Sequence, residues 1–299
     1  MHPWSADDAP DSDRLRRIGA YGHPVACCGD APTELVGTAG RGSADRQSTA
    51  TAMNQPRAAL SVSKYGCVRR LLLWDIDGTL VRGGGVGSEA IYRAAAAVSG
   101  ASVVDGSVMM HGKTDQEILT EIFRAAEIAD DAIPALLPAA MVEAERLMAL
   151  AREDLRCRGE VIGGVVEALA SLDAISGVRQ TLVTGNLIGN AAVKLATFDL
   201  AAYFDAEVGA YGTDHPDREA LVPIALERVG RLRGEHYEPH EVWVIGDTPR
   251  DLACAQAGGV RCLLVATGQI SMAELVSLDA DAVFEDLTAT DAVVQILTS

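Results

Sequence analysis

The sequence predicts an α/β protein: a parallel sheet covered by helices on both faces, with a helical insertion early in the chain. Short apolar runs at Leu71–Trp74, Gln180–Thr184 and Glu241–Ile245 are each followed closely by acid, glycine or asparagine, the pattern of buried strands ending in turns. Stretches of helical period alternate with the later runs, which implies parallel strands joined by helices. Between about residues 86 and 160 no convincing strand occurs. That span is too long for one ordinary crossover, since connecting loops typically run about four to six residues.

Taken in order, residues 1–64 are rich in Gly, Ser, Thr, Ala, Pro and Asp, with apolar residues at no regular period. Such composition buries too little to fold, so a disordered extension is expected, or a mis-called start upstream of Met53. The first strand spans Arg70–Trp74, and Gly83-Gly84-Gly85 then suits a hinge. Its spacing does not fit a dinucleotide loop. Ser88 is expected to cap a helix carrying Ile91, Ala94, Ala95 and Val98. Thr114 with Glu117 reads as a capping box ahead of Ile118, Leu119, Ile122 and Phe123. Ile133–Leu155 holds a third helix and a fourth, divided near Pro138, and Gly163–Leu172 forms another. After the strand Gln180–Thr184 come a helix over 188–198, a short strand at Ala206–Val208 and a helix over Arg218–Val229. The strand Glu241–Ile245 leads to Thr248 as N-cap and Pro249 at the first helical position, with Gly258-Gly259 as the stop. Strands Val260–Ala266 and Ala282–Phe284 close the pattern around a helix at Ser271–Leu278.

The formal net charge is -17, and residues 1–64 hold as many acidic as basic residues, so the excess belongs to residues 65–299. An acidic surface repels nucleic acid and anionic lipid, so neither is an expected partner. The acidic start at Asp7, Asp8, Asp11 and Asp13 does not resemble a signal peptide, and no stretch reaches 18 apolar residues. Cys27, Cys28, Cys67, Cys157, Cys254 and Cys262 show no metal-ligand spacing and read as free thiols in a reducing compartment. A cytoplasmic protein, monomer or homodimer, is expected.

The chemistry concentrates at strand ends. Asp75 and Asp77 follow the first strand two residues apart, and side chains at i and i+2 of an extended segment share a face. Thr184 ends the second run and Asp247 a later one, with Asp251 four residues on. Ligands in open α/β sheets bind at the carboxyl ends of strands. Carboxylates gathered there repel one another unless one is protonated or a cation holds them, and an all-oxygen set suits Mg²⁺.

Asp75-Ile76-Asp77-Gly78-Thr79-Leu80, Val183-Thr184-Gly185-Asn186 and Val244-Ile245-Gly246-Asp247-Thr248-Pro249-Arg250-Asp251 resemble the first, second and fourth motifs of the haloacid-dehalogenase-like superfamily of phosphatases. The likeness covers residues 68 to about 290. It implies a Rossmann-like three-layer sandwich formed by residues 65–85 and 161–299, with residues 86–160 as a helical cap like that of phosphoglycolate phosphatases and beta-phosphoglucomutases. It further implies that Asp75 is the nucleophile and Asp77 the general acid and base. Asp75, the Asp77 backbone carbonyl and Asp247 would hold Mg²⁺, with Asp251 direct or through water. Thr184 would bond a phosphoryl oxygen, and Asn186 stands with the substrate-binding residues.

The third motif, a lysine or arginine, departs from the common pattern, because Gly212–Arg218 contains no lysine. Lys194 is favoured over Arg218 for that charge, although a solvent-facing helix residue is the equal alternative. His111-Gly112-Lys113-Thr114-Asp115 resembles a Gly-basic-Thr-Asp segment of related caps, which would bring Lys113 to the substrate; a plain surface charge is its rival reading. The expected activity is Mg²⁺-dependent hydrolysis of a small phosphomonoester through an aspartyl phosphate, with phosphoglycolate the first candidate. Dehalogenases lack the second acid, so Asp77 argues against carbon–halogen chemistry. A sugar phosphomutase keeps both acids and is the alternative. A catalytically silent binding or scaffold protein is the rival from another class, and would be expected to lack an essential acid.

Overall fold

The computed structural model describes residues 68–299, so the expectation for residues 1–64, and Cys27, Cys28 and Cys67, lie outside the described residues. Six strands form one parallel sheet: β1 (Arg70–Trp74), β4 (Val178–Thr184), β5 (Ala210–Tyr211), β6 (Val242–Gly246), β7 (Arg261–Val265) and β8 (Ala282–Phe284). Their order is β5-β4-β1-β6-β7-β8. The chain therefore runs outward from β1 on one side, then crosses back to build the other. Both Asp-bearing strand ends, β1 and β6, are neighbours at that reversal, where open sheets leave a crevice.

Alternation within each strand builds two cores. Leu72 and Trp74 of β1 face one layer with Trp243 and Ile245 of β6, while Leu71 and Leu73 face the other with Val242 and Val244. All eight are fully buried, which is why these strands read as unbroken apolar runs. The first layer is closed by helices α5 (Val165–Asp173), α6 (Ile188–Thr197) and α10 (Thr290–Thr298). The second is closed by α7 (Leu221–Arg233), α8 (Pro249–Gly258) and α9 (Met272–Val276). Each large apolar side chain removed from water in these layers contributes roughly 1.5–3 kcal/mol.

The insertion holds α1 (Val86–Ser99), α2 (Asp115–Ala125), α3 (Ile133–Leu150) and α4 (Arg152–Arg158). They share a separate core around Leu119, Ile122, Phe123 and Met148, which also takes in Leu187 and Val193 from the neighbourhood of α6. The helical cap thus rests on the helix that follows β4. Its two connections to the sheet are paired, β2 (Val81–Arg82) running antiparallel to β3 (Glu160–Val161).

Several local expectations change. The first helix begins at Val86 behind Gly85, and Ser88 sits inside it, its Oγ donating to the Gly85 carbonyl at 2.8 Å. Pro138 does not divide its helix: it lies near the start of α3, where the only intrahelical acceptor its missing N–H deprives is the carbonyl of Pro134. Ala206–Val208 is a 3-10 turn, and the edge strand forms just beyond it at Ala210–Tyr211. Arg218–Ala220 is likewise a 3-10 turn before α7. Thr114 caps α2 by accepting the Glu117 N–H at 3.1 Å, but the Glu117 carboxylate pairs with Arg250 at 3.0 Å in place of closing the box. The helix α10 and the β2–β3 pair are not foreshadowed by the sequence pattern. Among the described residues, no helix is long and apolar enough to cross a membrane.

Candidate active site

The strand ends place Asp75 and Asp247 at the floor of a cavity of about 460 Å³ between sheet and cap. Asp75 is 4 % exposed, its backbone N–H donating to the Ile245 carbonyl of β6 at 2.9 Å, so the two strand ends are locked in register. Asp247 accepts from Thr79 Oγ1 at 3.2 Å. Asp75, Asp247 and Asp251 offer oxygens all within 4.8 Å of one another, an arrangement that can hold a divalent cation. Gly78, with φ +82°, turns the chain directly over this group: a Cβ there would meet Asp247 Oδ2 at 2.3 Å.

Asp251 differs from its neighbours in being already engaged. Its Oδ2 accepts from Thr248 N at 3.0 Å, Thr248 Oγ1 at 2.7 Å and Asp247 N at 3.2 Å, the capping box that starts α8. Its Oδ1 pairs with Arg218. The same Arg218 nitrogen lies 3.1 Å from Asp75 Oδ1, and Arg218 Nη1 donates to the Gly112 carbonyl of the cap at 3.2 Å. Burial works against the guanidinium, and Asp251 and Asp75 more than compensate, so its charge is held firmly.

The acids respond oppositely to their surroundings. Burial pushes Asp75 up to about 6, with Asp251 and Asp77 adding to it and Arg218 opposing. Burial, then Asp251 and Asp75, push Asp247 up to about 9. Two neighbouring carboxyls raised in this way are a site short of positive charge, which is the fit a divalent cation requires. Asp77 is turned away from the cluster, its side chain 47 % exposed. Lys194 Nζ meets its Oδ2 at 2.5 Å and Asn186 Nδ2 donates to the same oxygen at 2.8 Å. Desolvation where its inner oxygen packs against Lys194 and Asn186 works to raise the Asp77 carboxyl, and the Lys194 charge with these hydrogen bonds outweighs it, leaving Asp77 below its ordinary range.

Lys194 therefore faces the crevice and not solvent, and it also donates to Asn186 Oδ1 at 2.6 Å. Asn186 in turn donates to Thr184 Oγ1 at 2.8 Å. Thr184 is fully buried at the end of β4, behind Asn186 and not on the cavity wall. Lys113 is on the wall, tied to Glu121. Both candidate cations thus reach the acidic centre, Arg218 at Asp75 and Lys194 at Asp77.

Two residues to which the sequence pattern gave no role also line the cavity. Asp115 accepts from Leu187 N at 2.8 Å and from Asn190 Nδ2 at 2.9 Å. Burial raises its carboxyl, with the Lys194 charge and these bonds opposing. Asn190 lies four residues before Lys194, on the same face of α6, a spacing that could have drawn attention to it.

The sequence pattern of the haloacid dehalogenase-like hydrolases matches residues 70–259, and the chain belongs to that family. With its aspartate cluster assembled at the strand ends, it is an enzyme of phosphatase type. Phosphoglycolate phosphatase 1 of Pseudomonas aeruginosa is similar at 28 % identity over 202 residues, covering 67 % of this chain and 70 % of that protein. Among solved structures, a hydrolase from Pseudomonas syringae superposes with a TM-score of 0.55 at 19 % identity, over 77 % of this chain and 100 % of its own. CbbY from Rhodobacter sphaeroides, in complex with phosphate, gives 0.54 at 17 % identity, over 74 % and 95 %. At these identities the two structures speak for the fold alone.

Proposed function

We propose that this chain hydrolyses small phosphomonoesters with Mg²⁺ as its cation, through an aspartyl phosphate on Asp75. The observation that carries the reading is the division of labour between the two acids: Asp75 lies beside Arg218 and Asp247, whereas Asp77 two residues on is held by Lys194 and Asn186. Mg²⁺ suits the all-oxygen set, with Asp75 and Asp247 as its carboxylate ligands and the Asp77 carbonyl a third. Asp251, already bonded at both oxygens, would act through water and hold Arg218 in place. When bound, the ion supplies positive charge to the phosphoryl oxygens.

Asp75, at about 6, is mostly ionised at neutral pH and fit to attack phosphorus. A bond forms from its carboxylate oxygen to phosphorus as the ester P–O bond breaks, and Asp77 gives a proton to the departing alkoxide. Arrival of an anionic phosphate beside Asp77 raises its pKa, which supplies the protonated form this step needs. Water then attacks the aspartyl phosphate, Asp77 takes its proton, and orthophosphate leaves. Arg218 steadies Asp75 and brings positive charge to the transition state, where electrostatic stabilisation does most to speed phosphoryl transfer. Thr184, buried behind Asn186 and off the cavity wall, accepts from the Asn186 amide and so holds the residue that bonds Asp77.

The name of the Pseudomonas aeruginosa relative puts phosphoglycolate first on a substrate panel, and Lys113 on the cavity wall is a cation that its carboxylate could approach. The test is orthophosphate release by purified protein from small phosphate esters, with Mg²⁺ and with chelator. Asp75→Asn is expected to keep the fold by circular dichroism and to lose at least about a thousandfold in kcat. Turnover that survives this substitution would refute the assignment of the nucleophile. Conversion of a sugar phosphate into its isomer without orthophosphate release would point to phosphate transfer between hydroxyls.

A further inference from the structure

The aim of Asp247 depends on a loop that carries no catalytic side chain. Gly268, just beyond β7, lies so near that a Cβ there would stand 1.7 Å from Asp247 Oδ2, and Gly78 approaches the same oxygen from another segment. Asp247 is thus held between two stretches of backbone. Gly78 is fixed within its own turn, its N–H donating to the Val81 carbonyl at 2.9 Å. Gly268 takes its place from Thr267 before it. Thr267 is 6 % exposed, its hydroxyl donates to the Gly78 carbonyl, and its own carbonyl accepts from Arg82 Nη2 at 2.9 Å.

That last donor belongs to the stem of the cap. Arg82 ends β2, by which the chain enters the cap, and stands opposite Glu160 of β3, by which it returns. Its Nη1 donates to Glu160 Oε1 at 2.9 Å while Nη2 holds Thr267. One planar fork therefore spans the cap stem and the loop beside Asp247, which a single ammonium cannot do. Both partners of the ion pair are at least half exposed, and such pairs add little to stability. What the pair does is aim the second nitrogen. We infer that Arg82 is a positioning residue for the cation site: from the cap stem it fastens Thr267, and through it Gly268, against Asp247.

The inference rests on the reading of Asp75 and Asp247 as carboxylate ligands of Mg²⁺. Without the fork the Thr267 carbonyl loses its donor, the loop gains freedom, and Asp247 gains room beside Oδ2. Loss of a contact that orients a metal ligand typically weakens metal binding about 10–100-fold. The bond from the Thr267 hydroxyl to Gly78 survives, so the lower end of that range is expected. Charge works in the opposite direction. Arg82 also lines the cavity, and removing a cation from it would by itself favour a divalent ion. Weaker or tighter binding therefore tells a strap from a mere charge.

The experiment needs no substrate. The Kd for Mg²⁺ is read from the rise in Tm of the purified full chain across a Mg²⁺ series, for the wild type, Arg82→Met and Arg82→Lys. Arg82→Met is expected to raise Kd about tenfold. Arg82→Lys keeps the charge but cannot hold Thr267 while paired with Glu160, and is expected to raise it at least about threefold. In chelator both variants should melt within about 4 °C of the wild type, since only an exposed pair is lost from the metal-free fold. A Kd that is unchanged or lower in Arg82→Met overturns the inference, and so does a lowered Tm in chelator with Kd unmoved, the mark of a merely structural residue. Those results leave the Mg²⁺ reading intact, because the wild type still responds to the ion. A wild-type Tm that Mg²⁺ does not raise overturns that reading, and the inference with it.

Discussion

Replacing Asp247 by asparagine is expected to stabilise the metal-free protein, against the usual direction for a change at a buried site. Burial, Asp251 and Asp75 together push this carboxyl up to about 9, and the Arg218 charge and the Thr79 hydrogen bond offset only part of that. In an unfolded chain an aspartate titrates near 3.9. Between these values the folded protein holds a proton that the unfolded chain has released, so stability falls as pH rises through that window, by up to about 1.4 kcal/mol per pH unit. The ceiling at pH 7 is roughly 4 kcal/mol. Asp75 titrates in the same cluster, so about 2 kcal/mol is the expected gain from Asp247→Asn, or roughly 4–8 °C in Tm for a folded unit of this size. The asparagine keeps an oxygen for Thr79, which donates to it at 3.2 Å. The assay is thermal or urea unfolding of both proteins with chelator at pH 5, 7 and 8.5, repeated with excess Mg²⁺. The gap should widen with pH and then reverse on adding Mg²⁺, since a ligand at a hundred times its Kd adds about 2.7 kcal/mol to the protein that binds it. A metal-free variant less stable than wild type at pH 7, a gap that ignores pH, or equal stabilisation of both by Mg²⁺ would refute the reasoning.

Two further outcomes test the surroundings of the cluster. Lys194→Met removes the ammonium and the hydrogen bond that keep Asp77 low, so the Asp77 carboxyl rises and its ionised form appears only at higher pH. Because Asp77 must carry a proton for the step that kcat/KM reports, the basic limb of that profile is expected to move upward in pH, and an unmoved basic limb would show that Lys194 does not govern Asp77. Gly268→Ala places a Cβ 1.7 Å from Asp247 Oδ2, so Asp247 must shift. The Mg²⁺ concentration for half-maximal activity is expected to rise at least about tenfold, an effect on the order of one lost or weakened ligand contact, with the fold retained. A wild-type Mg²⁺ titration would contradict that placement.

The parts of this molecule legible in its sequence are those whose cause is local. Asp75 and Asp77 could be placed because an apolar strand and a glycine turn lie on either side of them, and Thr248-Pro249 because a capping box and a proline start a helix whatever surrounds them. Ala206–Val208 misled for the same reason. Three residues carry too little pattern to separate a strand from a tight turn, and pairing with β4 settled the matter two residues later. Arg218 could be named but not placed, because what brings it to Asp75 is a 3-10 turn held down by the cap carbonyl of Gly112 and by Asp251.

The start of α6 shows why no local rule could have been enough. Leu187, its N-cap, offers no capping side chain, and the exposed donors are met from three distant segments: Leu187 N by Asp115, Ile188 N by Thr213 Oγ1 at 2.8 Å and Gly189 N by Glu145 at 2.9 Å. Two of these acceptors are cap carboxylates, placed where a helix N-terminus favours negative charge. Helix α6 carries Asn190 and Lys194 to the cavity, so the cap supplies the ends that this helix lacks as well as the roof above it. The lysine that governs Asp77 is therefore set in place by distant cap residues, Asp115 bonding Asn190 of the same helix across 75 positions, and its function becomes readable only once the cap is seen seated on the core.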